Sequence, residues 1–199
     1  MSSSSDSQDQ NSSFRGGLAV FSGPSGSGKT SICKALLQDP RLQLSVSATT
    51  RPPRPGDVDG VDYHFQSREQ FLAHREAGDF IEWAQVYDHF YGTLRAPLAE
   101  AGSWTERMMV LDIDVQGAAQ LREHAIEGIF VFVAPPSMEV LRERLTARGT
   151  DSSEVIERRL EFAAQEMARQ SLYDHVLHNE DLEQTISRAR AVLGLPPPG

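Results

Sequence analysis

The sequence predicts an α/β fold in which a parallel sheet is flanked by helices on both faces. Three observations predict it. Residues 23–30 read Gly-Pro-Ser-Gly-Ser-Gly-Lys-Thr, a full match to the phosphate-binding pattern G-x-x-x-x-G-K-[ST]. The runs 108–111 (Met-Met-Val-Leu) and 128–133 (Gly-Ile-Phe-Val-Phe-Val) are continuously apolar, as strands covered on both faces require. Helical patterns alternate with these runs along the chain.

The first strand is 18–21, Leu-Ala-Val-Phe. A helix over 30–37 follows the glycine-rich loop, with Ile32, Cys33, Leu36 and Leu37 near the i, i+3, i+4 spacing. This order places the loop at a helix N-terminus, where backbone N–H groups and the helix dipole favour an anion. Gly23, Gly26 and Gly28 allow the tight bend, and Pro24, Ser25 and Ser27 complete the loop. Lys29 can reach the β- and γ-phosphates of a nucleoside triphosphate, and the Thr30 hydroxyl can ligate Mg²⁺.

From residue 45 to about 91 the composition shifts toward aromatics, His and Asp, which reads as an insertion of short strands. It carries one helix, 67–77, for which Ser67 and Gln70 form a capping box. Residues 92–95 lead to a helix over 97–101 with Pro97 in its first turn. A helix over 117–124 separates the strands 108–111 and 128–133. Ser137 caps a further helix, with Val140, Leu141 and Leu145 on its apolar face, that ends at Gly149. Asp151 and Glu154 form a capping pattern opening a long helix to about 169. Residues 175–178 are a short strand, 182–193 a last amphipathic helix, and 195–199 (Leu-Pro-Pro-Pro-Gly) a frayed end.

A length of 199 residues suits one domain with small insertions. The net charge of −9 argues against a broad nucleic-acid surface, so cations must be concentrated locally. No apolar run approaches the length of a membrane span. The single cysteine, Cys33, excludes an internal disulfide and reads as a small core residue rather than a nucleophile. Reduced thiol chemistry points to a cytoplasmic setting. Residues 1–15, rich in Ser, Gln, Asp and Asn, read as a disordered tail and lack the marks of a signal or transit peptide. The six histidines show no metal-ligand spacing.

A second constellation narrows the chemistry. In 45–54 (Ser-Val-Ser-Ala-Thr-Thr-Arg-Pro-Pro-Arg), Arg51 and Arg54 make a proline-framed fork for a phosphate distinct from the one held by Lys29. Asp112 and Asp114 leave a buried strand at its C-terminal end, where ligands bind in open α/β sheets. They are either site carboxylates or loop charges capping the next helix. Glu82, between Ile81 and Trp83, is either a solvated charge or a buried hydrogen-bond acceptor.

With these motifs in this order the chain resembles the guanylate kinase family. The phosphate loop, 45–54, Asp62-Tyr63, 80–84, 91–93, 111–117, 134–137 and 144–149 carry the resemblance, over about 18–193. It implies a P-loop NTPase-type sheet in a domain over 16–199. The core would be 16–44, 94–136 and 160–195, the inserted mixed α/β GMP-binding subdomain 45–93, and a mobile helical lid 137–159. The implied activity is reversible, Mg²⁺-dependent transfer of the ATP γ-phosphoryl group to GMP, with dGMP as a further acceptor, in purine nucleotide metabolism. ATP and GMP are then the partners, with no nucleic acid or membrane, and the oligomeric state stays open.

The resemblance also implies roles. Arg51 and Arg54 hold the GMP phosphate with Tyr63 and Tyr91, although both tyrosines also admit ordinary packing. Glu82 accepts from guanine N1–H and the 2-amino group, Ser47 and Thr93 complete the base site near O6, and Asp114 lies on the GMP side. Asp112 approaches Mg²⁺ through water, beside Thr30. Lys29, Arg51, Arg144, Arg148 and Arg159 neutralise the transferring group, and Asn179 lies near adenine. Any one helix arginine could equally be solvated. The chain departs from the family at Asp57, where Glu is usual, and at His178, a place that is usually apolar. Related domains in scaffold proteins bind phosphopeptides and typically lack an intact phosphate loop. The complete loop here favours the kinase reading.

Overall fold

Strand periodicity organises the centre of the protein. In the first strand Ala19 and Phe21 enter one apolar cluster, and Leu18 and Val20 enter another. The computed structural model describes residues 16–101, 103–147, 149 and 152–197. The expected tail over 1–15, Arg148 and Asp151 lie outside the described residues.

In chain order the elements are β1 (Gly17–Ser22), α1 (Lys29–Leu36), β2 (Leu42–Leu44), β3 (Ala48–Thr49), β4 (His64–Phe65), α2 (Arg68–Ala77), β5 (Phe80–Val86) and β6 (His89–Leu94). They continue with α3 (Arg95–Ala101), β7 (Met108–Asp112), α4 (Val115–Glu123), β8 (Ile129–Ala134), α5 (Met138–Ala147), α6 (Ser153–Met167), β9 (His175–His178) and α7 (Leu182–Val192). The main sheet has the order β2-β7-β1-β8-β9 and is parallel throughout. On one face Ile32, Cys33 and Leu36 of α1 and Ile186 and Ala189 of α7 cover Phe21, Val110 and Val133. On the other, Ala118 and Leu121 of α4 cover Val20, Leu111 and Phe130. The second sheet, β4-β3-β6-β5, is mixed and packs Ala48, Phe71, Phe80 and Phe90 into a separate small core.

The predicted parallel α/β sheet is present, with one edge strand the sequence did not announce. β2 is three residues long, and its Leu-Gln-Leu alternation is too short to announce a strand. Ser67 and Gln70 form the complete capping box of α2. Some helix starts differ from expectation. α3 begins at Arg95 rather than 97. α4 begins at Val115 rather than 117, because Asp114 caps it. α6 is capped by Ser152, whose hydroxyl accepts from the Val155 N–H, one residue past the expected Asp151.

The expected frayed end is partly held. Leu195 is buried in the core, and Pro196 O accepts a bond of 2.7 Å from Arg190 Nε. Arg190 and Arg41 both donate to Asp39, at 3.0 Å and 2.8 Å, so one carboxylate ties the α1–β2 turn to α7. Hydrogen bonding from Arg41 holds the Asp39 carboxyl far below the usual carboxylate range. Asp39→Ala strands the buried Arg190 and should lower stability by about 3 kcal/mol in urea denaturation. Because the folded pKa is depressed, Asp39's contribution is present above about pH 5 and is lost as pH falls through 4 and below. A variant as stable as the parent at pH 7 would remove Asp39 from this role.

Candidate active site

β1 ends in the middle of the main sheet, and the chain turns at once into the phosphate loop. Gly28 is the N-cap of α1, with φ 101° and ψ 9°, and no side chain caps the helix. That left-handed conformation suits glycine, and Asn179 packs where a Cβ would stand. The first turn of α1 has no acidic residue, so its N–H groups and dipole face the loop unopposed. The Lys29 ammonium donates to Gly23 O at 2.6 Å and Pro24 O at 3.3 Å, which keeps it across the loop's mouth.

Several elements brace this loop. Ser27 O accepts from Asn179 Nδ2 at 2.7 Å and from Arg144 Nη1 at 3.3 Å. A second Arg144 nitrogen donates to Asn179 O at 2.9 Å. Arg144 thus joins α5, the phosphate loop and the end of β9 in one network. Asn179 is 4% exposed and its Oδ1 is buried with no hydrogen-bond partner among the described residues. A Cβ on Gly26 would lie 2.9 Å from Leu141 Cδ1, so α5 rests directly on the loop.

Opposite Lys29, the Thr30 hydroxyl donates to Asp112 Oδ2 at 2.7 Å. Asp112 is the last residue of β7, level with Phe21 of β1. No cluster of three or more His, Cys, Asp or Glu suited to a metal occurs among the described residues. One hydroxyl beside one carboxylate does fit Mg²⁺, which keeps several waters and takes its remaining oxygens from substrate phosphates. Asp114 is used differently. Its Oδ1 accepts from Gln116 N at 2.7 Å and Gly117 N at 2.8 Å, realising the capping alternative for this residue. Burial nonetheless raises its pKa.

The second sheet supplies another group of side chains. Arg51 Nη2 bonds Asp57 Oδ2 at 2.8 Å, and the same oxygen accepts from Arg54 N at 2.8 Å. The shorter Asp57 therefore reaches the arginine loop and sets its shape. The Arg51 guanidinium carbon lies 5.4 Å from the Tyr63 ring centroid. Tyr63 and Tyr91 meet edge to face, with centroids 5.9 Å apart. Burial pushes the Tyr63 hydroxyl up to about 12, so it stays a proton donor. Arg54 is exposed at the rim. Thr30, Ser45, Ser47, Asp62, Tyr63 and Asp112 line a cavity of about 60 Å³ where the two sheets meet. Lys34 bridges the same boundary to Asp62 at 3.1 Å.

Glu82, on β5, is 4% exposed, which excludes the solvated alternative. Its register partner on β6 is Thr93, itself fully buried. Its carboxylate lies against Gly117, where no Cβ could fit. Gln120 fixes the approach of β5 to α4, donating to Trp83 O at 2.7 Å and accepting from Trp83 N at 3.1 Å. Burial raises the Glu82 pKa to about 7; Thr93 offsets part of this and the charge of Asp114 adds to it.

The structure gathers Lys29, Thr30, Asp112, Arg144 and Asn179 around the loop, and Ser47, Arg51, Tyr63, Tyr91, Glu82 and Thr93 around the second sheet. Arg159 stands on α6, with its guanidinium over Tyr87. Sequence reasoning missed Gln120, the Gly117 seat and Glu166, an α6 carboxylate whose pKa burial raises and Lys29 lowers. The 111–117 motif contained Gly117, but a close approach across two sheets has no local signal. Cys33 is buried and its thiol is pushed well up by burial, consistent with a core residue.

A family model described as guanylate kinase matches residues 15–194. The chain is 46% identical over 184 residues to a guanylate kinase of Caldanaerobacter subterraneus subsp. tengcongensis, covering 90% of this chain and 87% of that one. It is 45% identical to a guanylate kinase of Hahella chejuensis, over 89% of this chain and 86% of that one. The solved structure of guanylate kinase from Anaplasma phagocytophilum is similar at TM-score 0.76 and 36% identity, covering 91% and 86%. Shikimate kinase from Bacteroides thetaiotaomicron, at TM-score 0.51 and 16% identity over 90% and 99%, shares the fold alone.

The raised pKa of Glu82 has a measurable consequence. Folding holds its proton more tightly, so stability is greatest below the unfolded value near 4.5 and falls as pH rises to about 7. The loss is on the order of 3 kcal/mol. Glu82→Gln should flatten the stability difference between pH 5 and pH 8 in chemical denaturation. Equal pH slopes for parent and variant would show that Glu82 does not carry the buried charge.

Proposed function

Since the chain belongs to the guanylate kinase family, we propose that its cleft transfers the γ-phosphoryl group of ATP to GMP through the residues assembled above. The protein is an ATP:GMP phosphotransferase, a nucleoside monophosphate kinase. The observation that carries the residue assignment is the buried Glu82, an acceptor with no cation beside it among the described residues, in a chain with a complete phosphate loop. Guanine offers N1–H and a 2-amino group to such an acceptor. Adenine offers neither and would leave Glu82 buried and unpaired.

In this reading the N–H groups of residues 23–30 and the Lys29 ammonium hold the β- and γ-phosphates of ATP. Arg51 and Arg54, shaped by Asp57, hold the GMP phosphate with hydroxyl donors Tyr63 and Tyr91. Ser47 and Thr93 complete the base site beside Glu82, and Asp114 fixes the helix on which that carboxylate rests. Asn179 braces the loop toward the adenine side. The GMP phosphate oxygen is already anionic and needs no general base. Lys29, Arg51, Arg144, Arg148 and Arg159 offset the charge of the transferring group, and positioning does the rest. Thr30 and Asp112 would hold Mg²⁺, Asp112 through water, and the ion would supply charge neutralisation at the phosphates.

The division into a core, an acceptor-binding subdomain over 45–93 and a lid over 137–159 is part of the proposal. Support comes from the separate small core of the second sheet and from the α5–α6 pair, which packs on itself through Leu141, Leu145, Ile156 and Leu160. Acceptance of dGMP and a cytoplasmic setting belong to the same reading. No helix among the described residues is long and apolar enough to cross a membrane.

The test is ADP release with Mg·ATP and a panel of GMP, dGMP, AMP, CMP and UMP. GMP should exceed AMP strongly, and Glu82→Ala should cut that preference by roughly 10²-fold or more. Undiminished rejection of AMP by the variant would sink the base-reading role. Lys29→Ala should lower kcat by roughly 10²–10³-fold while GMP binding, read by calorimetry, stays near that of the parent. Retained turnover would remove Lys29 from the mechanism.

A further inference from the structure

Tyr87 and Asp88 form the two-residue connection between β5 and β6, because Val86 pairs with His89. Tyr87 has φ 55°. The favoured two-residue hairpin turns need positive φ at this first position, which Gly, Asn or Asp supplies at little cost. A tyrosine there strains the backbone, so the turn alone does not account for it. Its ring does have a place. It meets Phe162 edge-on, with centroids 5.5 Å apart and planes at 89°, and the Arg159 guanidinium carbon lies 5.3 Å from its centroid.

Arg159 and Phe162 are three residues apart on α6, and Glu166 lies four further on, so the three share one face. Met167, the last residue of α6, packs against Val115 and Phe132, and Phe132 is level with Ser22 at the end of β1, so α6 returns to the cleft beside the phosphate loop; the charges of Lys29 and Asp114 reach Glu166 there. Tyr87 thus touches α6 from the tip of the second sheet. With this ring against it Phe162 remains 47% exposed.

We propose that Tyr87 is a positioning residue for phosphoryl transfer: from the acceptor side of the cleft its ring holds the Arg159 guanidinium in place to offset charge on the transferring group. The inference rests on the role given to Arg159 above. A cation over an aromatic face is attracted to it, most strongly where water is excluded. Phe162 packs the ring from the side and limits its swing. Closure of the acceptor-binding sheet is thereby linked to the placement of a cation on a different element.

Tyr87→Gly tests this without damaging the turn, because glycine suits a positive φ. The melting temperature should be unchanged or higher, and kcat with saturating Mg·ATP and GMP should fall roughly tenfold or more, with KM for GMP within about threefold of the parent. Tyr87→Phe keeps the ring and should restore kcat. Arg159→Ala should lower kcat, and the Tyr87→Gly/Arg159→Ala double variant should be no slower than Arg159→Ala alone. Parental kcat in Tyr87→Gly, a Tyr87→Phe variant as slow as Tyr87→Gly, or additive losses in the double variant would each overturn the proposal. A slow Arg159→Ala beside a normal Tyr87→Gly would overturn it while leaving the role of Arg159 intact. A normal Arg159→Ala would end that role, and the proposal with it.

Discussion

The uncapped N-terminus of α1 is the constraint on which the rest of the structure depends. A helix start leaves backbone N–H groups without intrahelical partners, and most helices settle them with a side-chain cap. Here glycine holds the cap position and offers no side chain. An anion site made this way works only if the loop keeps its shape, because the donors are backbone groups that move with it. Much of the surrounding architecture follows from that need. β1 occupies the middle of the sheet, Asn179 and Arg144 converge on Ser27 O, and α5 leans on Gly26. Each brace comes from a different part of the chain, so the loop is held by the tertiary fold rather than by its own sequence.

The second sheet is built on a further, costlier constraint, a carboxylate taken out of water with no cation beside it among the described residues. Burial drives Glu82 toward neutrality at physiological pH. Such a group destabilises the protein by itself, and it gains specificity only if its position is tightly defined. Gly117 gives it a seat, Asp114 starts the helix that carries Gly117, and Gln120 clamps β5 through both backbone groups of Trp83. The motif over 111–117 is in this sense one device. Asp112 near its start bonds Thr30 beside the phosphate loop, and Gly117 at its end seats Glu82.

Most of the main sheet was legible because its strands are buried on both faces, which forces continuous apolar runs at 18–21, 108–111 and 128–133. The capping box of α2 was legible because it is local. β2 was not, since the alternation of three residues, Leu42-Gln43-Leu44, is too short to stand out. The residue types around the phosphate loop were readable from spacing. Their division of labour was less so: Asp112 and Asp114 look alike in sequence, yet one bonds Thr30 and the other caps α4. Gln120 and Glu166 sit among ordinary helical polar residues, and only the meeting of distant elements sets them apart. The C-terminal segment was misread for a similar reason. Prolines end a helix but do not prevent Leu195 from packing, and Arg190 holds the chain beyond it.

A chain of net charge −9 that handles two nucleotide anions has to ration its cations by position. Three of the arginines near the cleft are restrained, each in a different way. Asp57 orients Arg51 and leaves its other face to Tyr63, the carbonyls of Ser27 and Asn179 hold Arg144, and Arg159 lies on the ring of Tyr87. Carbonyl and aromatic partners orient a guanidinium without cancelling its charge, whereas a carboxylate partner cancels most of it. Arg51 has a carboxylate partner, and that oxygen is shared with the Arg54 backbone. Arg144, held by carbonyls beside the phosphate loop, therefore keeps its field, while that of Arg51 is tempered. This gradient suits a reaction in which the donor's terminal phosphoryl group needs the stronger stabilisation and the acceptor phosphate must stay nucleophilic.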